Sequence, residues 1–413
     1  MNERDAVAWL HRRAGFGLPP QELRAAAERG ATDELTRLLD PTGAGAPPDG
    51  DRWDDALLPL DPKDRPSKQH AIGVWVETMV ATDRPLVDRM AWLWHGHFVS
   101  ALDKVKVARL MVDQIRLFRS TGLGGFDELV RAVTLDPAML SYLDLRSSTG
   151  GQPNENYGRE LLELFTLGEG NYTEADVQAV ARALTGWTLR PGEGVVRFVE
   201  RRHDDTPQRA LGVDGVHDLD TAVAAVTAHP MMVTFIAGVI AGELLGTADE
   251  PTVALLAEVF GAAHDIRALV GATLQVGLAG QTAPVVLAPV PWYVIARRVT
   301  GANPPARDAL RLLRSAGQLP LLPPNVAGWP GGRAWFSASS LVARANLAAL
   351  VAAATPDGEV LAAAAGDDAD LLAEALGLSS DGFSDDSIAA LAAAPAGRDR
   401  LAVALITPEF LIA

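Results

Sequence analysis

Cysteine is absent from this 413-residue chain. Its absence excludes disulfides, thiolate metal sites and cysteine nucleophiles, and does not fix the compartment. Positive charge is scarce: 36 lysines and arginines face 52 aspartates and glutamates, for a net charge of −16 and a pI near 4.9. A general nucleic-acid binder is usually basic, so no nucleic acid is expected as a partner. Acidity on this scale favours solubility and attracts cations. Long apolar runs are also missing. The longest, Met231 to Gly242, contains Thr234 and is too short to span a bilayer. The chain opens Met1-Asn2-Glu3-Arg4-Asp5 and leads straight into an amphipathic segment, with no apolar signal core. The expectation is a cytoplasmic protein with no membrane span.

Apolar residues make up 48% of the chain, enough to build a sizeable core. Helical periodicity dominates. The expected fold class is mainly α: one large multi-helix domain over residues 1–413, with long loops and at most a small β-hairpin. Residues 40–66, rich in Gly, Pro and Asp, read as a surface loop with a short turn at Trp53–Leu58. Val195 to Val199 reads as a short strand. Residues 355–396 form an Ala/Asp-rich helical tail region of little further information.

The densest set of polar groups lies in Pro153-Asn154-Glu155-Asn156-Tyr157-Gly158-Arg159-Glu160-Leu161-Leu162-Glu163-Leu164-Phe165-Thr166-Leu167-Gly168. Pro153 suits a helix start and Gly168 its end. At about 100° per residue, Tyr157, Leu161, Leu164 and Phe165 share one side. Asn156, Glu160 and Glu163 share the other, with Arg159 beside them. Glu155 and Glu163 are each within i,i+4 reach of Arg159. Two readings follow. The face is solvated and laced with ion pairs, or Glu160 and Glu163 face a cleft as metal ligands or acid/base groups, since inward carboxylates at i,i+3 build metal sites in helical bundles.

A second cluster is Trp92-Leu93-Trp94-His95-Gly96-His97-Phe98. Gly96 is expected to break the helix begun at Pro85. In extended backbone His95 and His97 would point the same way; on a continuous helix they would diverge by about 200° and could not share a metal. Histidines flanked by tryptophan are also ordinary core or rim residues. His203-Asp204 lies in a polar loop, either as a carboxylate orienting an imidazole or as an Asx turn. Thr173 with Glu174 and Asp176 is a helix cap, which explains those acids structurally. Pro323-Pro324-Asn325-Val326-Ala327-Gly328-Trp329-Pro330 is a rigid loop, either a pocket wall or a seat for packing Trp329.

Taken together these motifs resemble the bacterial DUF1800 family, a domain of unknown function. The markers are Leu10 to Gly17, Trp94 to Phe98, Pro153 to Asn156 with Arg159 to Glu163, and Tyr172 to Glu174 with Asp176-Val177. Gly186-Trp187, His203-Asp204, Asn325-Val326 with Gly328 to Pro330, and Thr407 to Phe410 complete the set in family order. The resemblance implies a largely helical protein. Many such proteins are exported, and they are often encoded beside a sulfatase-like DUF1501 protein, which makes that protein the partner implied by association. No established activity comes with the name. The sequence departs from the family where a lysine tends to follow the His-Asp pair; Gln208 and Arg209 stand there. Val233 to Gly242 is apolar where the family is often basic, and Pro289-Val290-Pro291 occupies the place of a Ser-Pro-x-Glu element. These departures imply a divergent or repurposed member of the family it resembles.

The leading expectation is a metal-dependent enzyme, hydrolytic or oxidative. Its pocket joins His95, His97, His203 and Asp204 as ligands to Zn, Mn or Fe. Glu160, Glu163, Arg159 and Asn156 form the catalytic face. Asn154, Tyr157 and Trp329 contact substrate, and the loops at 40–66 and 144–152 cover the site. The alternative is a non-catalytic helical scaffold or partner protein, in which the polar cluster fixes helix register.

Overall fold

A computed structural model describes residues 1–40, 52–190 and 192–413. The chain is mainly α, as expected, with two small antiparallel hairpins. The helices that position the site are α1 (Glu3–Arg13), α2 (Pro20–Arg29), α3 (Ala31–Leu39), α4 (Arg65–Val80), α5 (Pro85–His97) and α6 (Ala108–Thr121). Then come α7 (Glu155–Glu160, continued by the π-helical turn Leu161–Thr166), α8 (Glu174–Ala183), α9 (Pro230–Leu245), α10 (Ile266–Leu278) and α11 (Pro289–Thr300). The expected strand is β2 (Val195–Phe198), paired with β1 (Trp187–Arg190). A second hairpin joins β3 (Gln208–Ala210) to β4 (Val213–Val216).

Local chemistry sets the helix starts. Pro85 sits at the first helical position of α5, where a missing N–H costs nothing. Thr173 and Asp176 form a reciprocal capping box at the head of α8. Residues 41–51 of the expected 40–66 loop lie outside the described residues. Beyond them, Trp53 and Leu58 are buried, and the Trp53 indole donates to the Ala71 carbonyl at 3.1 Å. A turn at Asp55–Leu57 lies between them.

One hydrophobic cluster runs from Leu10 to Leu411. The two ends of the chain close on each other. Residues 285–287 pair with 411–413 through backbone bonds such as Leu287 N–H to Leu411 O at 2.9 Å. Arg12 donates to the Phe410 and Ile412 carbonyls at 2.9 and 3.1 Å. Arg13 donates to Ala283 O at 2.6 Å and Ala413 O at 2.5 Å. Both guanidiniums are buried, and burial lowers each pKa to about 10. Among the described residues, no single helix is long and apolar enough to cross a membrane. Leu219–Thr227 and Pro230–Leu245 would do so only as a pair, and they bend by 73°.

The α5 helix corrects the expected break at Gly96. It runs to His97, and Phe98 N–H still bonds the Trp94 carbonyl at 2.7 Å. A lone glycine costs a helix about 1 kcal/mol, which the packing of this helix outweighs. Trp94 is fully buried and donates to Gly122 O at 2.7 Å. His95 is fully buried between Trp75 and Trp329, with ring centroids 5.0 and 5.4 Å away. Trp329 also stacks on Trp92, at 5.2 Å and 9°. The loop carrying Trp329 lies directly on α5 backbone: Gly328 has φ +81°, and a Cβ there would stand 2.5 Å from the Gly96 carbonyl oxygen.

Gly328→Ala therefore meets both a left-handed backbone and a clash, and should lose about 2 kcal/mol of stability in denaturant titration. Wild-type stability in that variant would refute the backbone contact. The pH response is equally specific. Burial lowers the His95 pKa from 6.5 to about 3. The folded state thus favours the neutral ring. Its contribution is full above pH 6.5 and is lost as pH falls toward 3. His95→Met should flatten the acid limb of unfolding free energy between pH 6.5 and 4; an unchanged slope would assign that limb elsewhere.

Candidate functional site

The central helix α7 begins with Asn154 as cap. Its side chain accepts from Asn156 N–H at 2.9 Å and donates to the Asp144 carbonyl at 3.0 Å. Gly158 lets α7 approach α8 closely: a Cβ there would sit 3.2 Å from the Val177 carbonyl oxygen. Further on, the helix widens to a π turn, closed by Leu167 N–H to Leu162 O at 3.0 Å. Such turns cluster at functional sites.

The polar face of α7 is partnered locally. Arg159 makes a two-pronged pair with Glu174, at 2.9 and 2.5 Å, and lies 3.5 Å from Glu155. The expected pairing with Glu163 is not made, because Glu163 accepts from the Tyr172 hydroxyl. Burial and then Glu163 raise the Tyr172 pKa to about 12, so the phenol stays protonated as donor. Burial and the Glu163 charge raise the Glu160 pKa, partly offset by Arg159. Asn156 is exposed. Tyr157, expected at substrate, faces the core instead: it is fully buried and shares a 2.7 Å hydrogen bond with Thr134.

His203 and Asp204 resolve to the turn. Asp204 accepts from Thr206 N–H at 3.1 Å and pairs with Arg182 at 3.2 Å, while His203 Nδ1 lies 3.0 Å from Thr185 O. The 144–152 loop packs against this turn, with Gly150 N–H bonded to Arg202 O at 2.7 Å. The loop therefore abuts the His203-Asp204 motif at the approach to α7.

His95 and His97 diverge, as a continuous helix requires. Neither His95 nitrogen has a hydrogen-bond partner among the described residues. His97 Nε2 lies 2.8 Å from the Phe165 carbonyl, one of the last-turn carbonyls the π turn leaves for an outside donor. A carbonyl only accepts, so Nε2 holds the proton and Nδ1 the lone pair. Burial, opposed by that bond, lowers the His97 pKa to about 4. His97 thus meets the apolar side of α7, opposite Glu163. Among the described residues, no three His, Asp or Glu side chains come together as a metal-holding group.

His97 and Trp329 do share a cavity, of about 710 Å³. Its walls come from α5, α9, residues 284–288 and the Trp329 loop. Apolar Trp92, Leu93, Val239, Trp335 and Phe336 dominate. Arg89 is 3% exposed, bonds Glu243 at 2.8 Å and keeps its Nε without a partner among the described residues. The Trp329 indole N–H is likewise buried and unpartnered. Sequence reading missed Arg89 and Glu243, which lie 154 residues apart. The only signal available was an arginine inside the apolar run of α5.

A family model described as "Protein of unknown function (DUF1800)" matches residues 9–412. No curated protein and no solved structure matches the chain. With nearly the whole length matched, the chain belongs to the DUF1800 family.

Proposed function

We propose that the chain binds a small organic anion with an apolar or aromatic body in the cavity beside Trp329. The observation that carries this reading is a set of unsatisfied polar atoms on residues lining an otherwise largely apolar cavity. Arg89 Nε and the Trp329 indole are donors without acceptors. Buried polar atoms are nearly always partnered, so two on residues lining one cavity call for a ligand or ordered water. The His97 ring, tautomer fixed by Phe165, offers Nδ1 as an acceptor. A cavity of this size, apolar with a few convergent polar groups, suits a small molecule. Arg89 and Arg333 against Glu243 leave an excess of positive charge in the lining, which selects an anion.

A second reading keeps a divalent metal (Zn, Mn or Fe) and a hydrolytic or oxidative reaction at the Glu160/Glu163 face. What favours it is the mutual effect of those carboxylates, by which Glu163 helps to raise the Glu160 pKa. His203 and Asp204 stand on the loop that abuts the approach to this helix. The same face also serves the scaffold alternative, a register-fixing network beside a sulfatase-like DUF1501 partner.

Benzoate is the first probe for the cavity. Calorimetric titration should detect its binding, and Arg89→Gln should weaken it tenfold or more, since a hydrogen bond to a charged group is worth about 1.5–3 kcal/mol. Arg333→Gln, an exposed change, checks the charge requirement in a folded background. Equal affinity in all three proteins would reject the site. For the metal reading, elemental analysis of protein purified without added metal should find a stoichiometric ion that disappears in a Glu160→Ala, Glu163→Ala double variant. A metal-free wild type whose melting ignores Zn, Mn and Fe would reject it.

A further inference from the structure

At the other end of α5 lies a second cavity, of about 700 Å³. Thirteen residues at 1.5 Å rise separate its two ends by roughly 20 Å. Six arginines line this cavity: Arg29, Arg37, Arg84, Arg119, Arg267 and Arg298. Four carboxylates face them, from Glu22, Glu34, Asp40 and Asp83. A local positive excess is notable in a chain of net charge −16.

The arginines are not equally neutralised. Arg29 and Arg37 share Glu34, at 2.5 and 3.5 Å, and Arg119 pairs with buried Asp88 at 2.8 Å. Arg298 is held only by carbonyls, those of Val80, Thr82 and Gly17, at 2.7 to 3.3 Å. Arg267 donates to Leu39 O. Neither meets a carboxylate within ion-pair distance among the described residues, and Glu22 and Asp88 act on Arg298 only from farther off.

The first turn of α5 adds donors. No side chain caps this helix, and Pro85 carries no N–H. The Leu86 and Val87 amides have no acceptor among the described residues. They form the positive end of a helix dipole. His11, 5% exposed, also lines the cavity; its Nε2 donates to Glu34 at 3.0 Å, and its Nδ1, buried and unpartnered among the described residues, is left as an acceptor suited to a ligand hydroxyl. Leu18, Ala25 and Leu38 supply an apolar side.

We infer that this cavity is a binding site for a phosphate group carried on a small molecule. Guanidinium forks and helix-end amides together fit a tetrahedral dianion. The volume accommodates a body beyond the phosphate. The site is independent of what the first cavity holds.

Inorganic phosphate and phenyl phosphate are the probes, with citrate as the carboxylate arm. Titration calorimetry at matched ionic strength should show phenyl phosphate binding more tightly than phosphate, and both more tightly than citrate. An Arg37→Gln, Arg267→Gln double variant should weaken phosphate binding at least tenfold, and Arg267→Lys should restore part of it. Arg298 is left intact because it holds three carbonyls. Val87→Pro, tolerated in a first helical turn, removes one amide donor without changing charge and should weaken binding severalfold. Benzoate titration of the first cavity should be unchanged throughout. Phosphate heats no different from chloride, or equal affinity in the double variant and in Val87→Pro, would overturn the assignment.

Discussion

Gly328 rests its backbone on the carbonyl of Gly96, and the rest of the site depends on that seat. Two chain segments more than 200 residues apart touch without a side chain between them. The contact brings Trp329 down onto Trp92 and against His95. It also leaves a cavity beside α5, because Gly96 offers nothing to fill it: a Cβ at that position would meet no atom within 4 Å. A larger residue at either glycine would narrow the cavity or lift its wall. Aromatic stacking then supplies the attraction that keeps the loop down.

Continuity of α5 is the second half of that constraint. Because the helix does not break at Gly96, its two histidines serve opposite tasks. His95 goes into an aromatic box with no polar partner among the described residues, and His97 caps a carbonyl of the π turn. Phe165 lies in the last turn of that helix, where carbonyls lack an intrahelical donor, and its carbonyl fixes the His97 tautomer. The end of one helix thus decides which nitrogen of a residue on another is left without a proton.

Much of the fold was legible. The capping box at Thr173 and Asp176, Pro85 at its helix start and the strand at Val195 all follow from local rules, and local rules do not need the partner. The candidate site was legible only in part. Trp329 and His97 line the same cavity. Gly96 misled because propensity counts a glycine as a break, while here tertiary packing on both flanks holds the helix. Arg159 keeps the expected Glu155 at i,i+4, but in place of Glu163 takes Glu174 from the next helix, at a distance no periodicity reports. Arg89 and Glu243 find each other only once α5 and α9 pack.

The clasp between Arg12 and the Phe410 carbonyl has a consequence for biosynthesis. The two residues are 398 apart. At ribosomal speeds of 5–20 residues per second, roughly 20 to 80 s elapse between them. Throughout that interval Arg12 lacks both carbonyls it will bond, whereas acceptors of Arg13 at Leu244 and Ala283 are made before it ends. The seating of Arg12 is therefore among the last contacts the chain can complete.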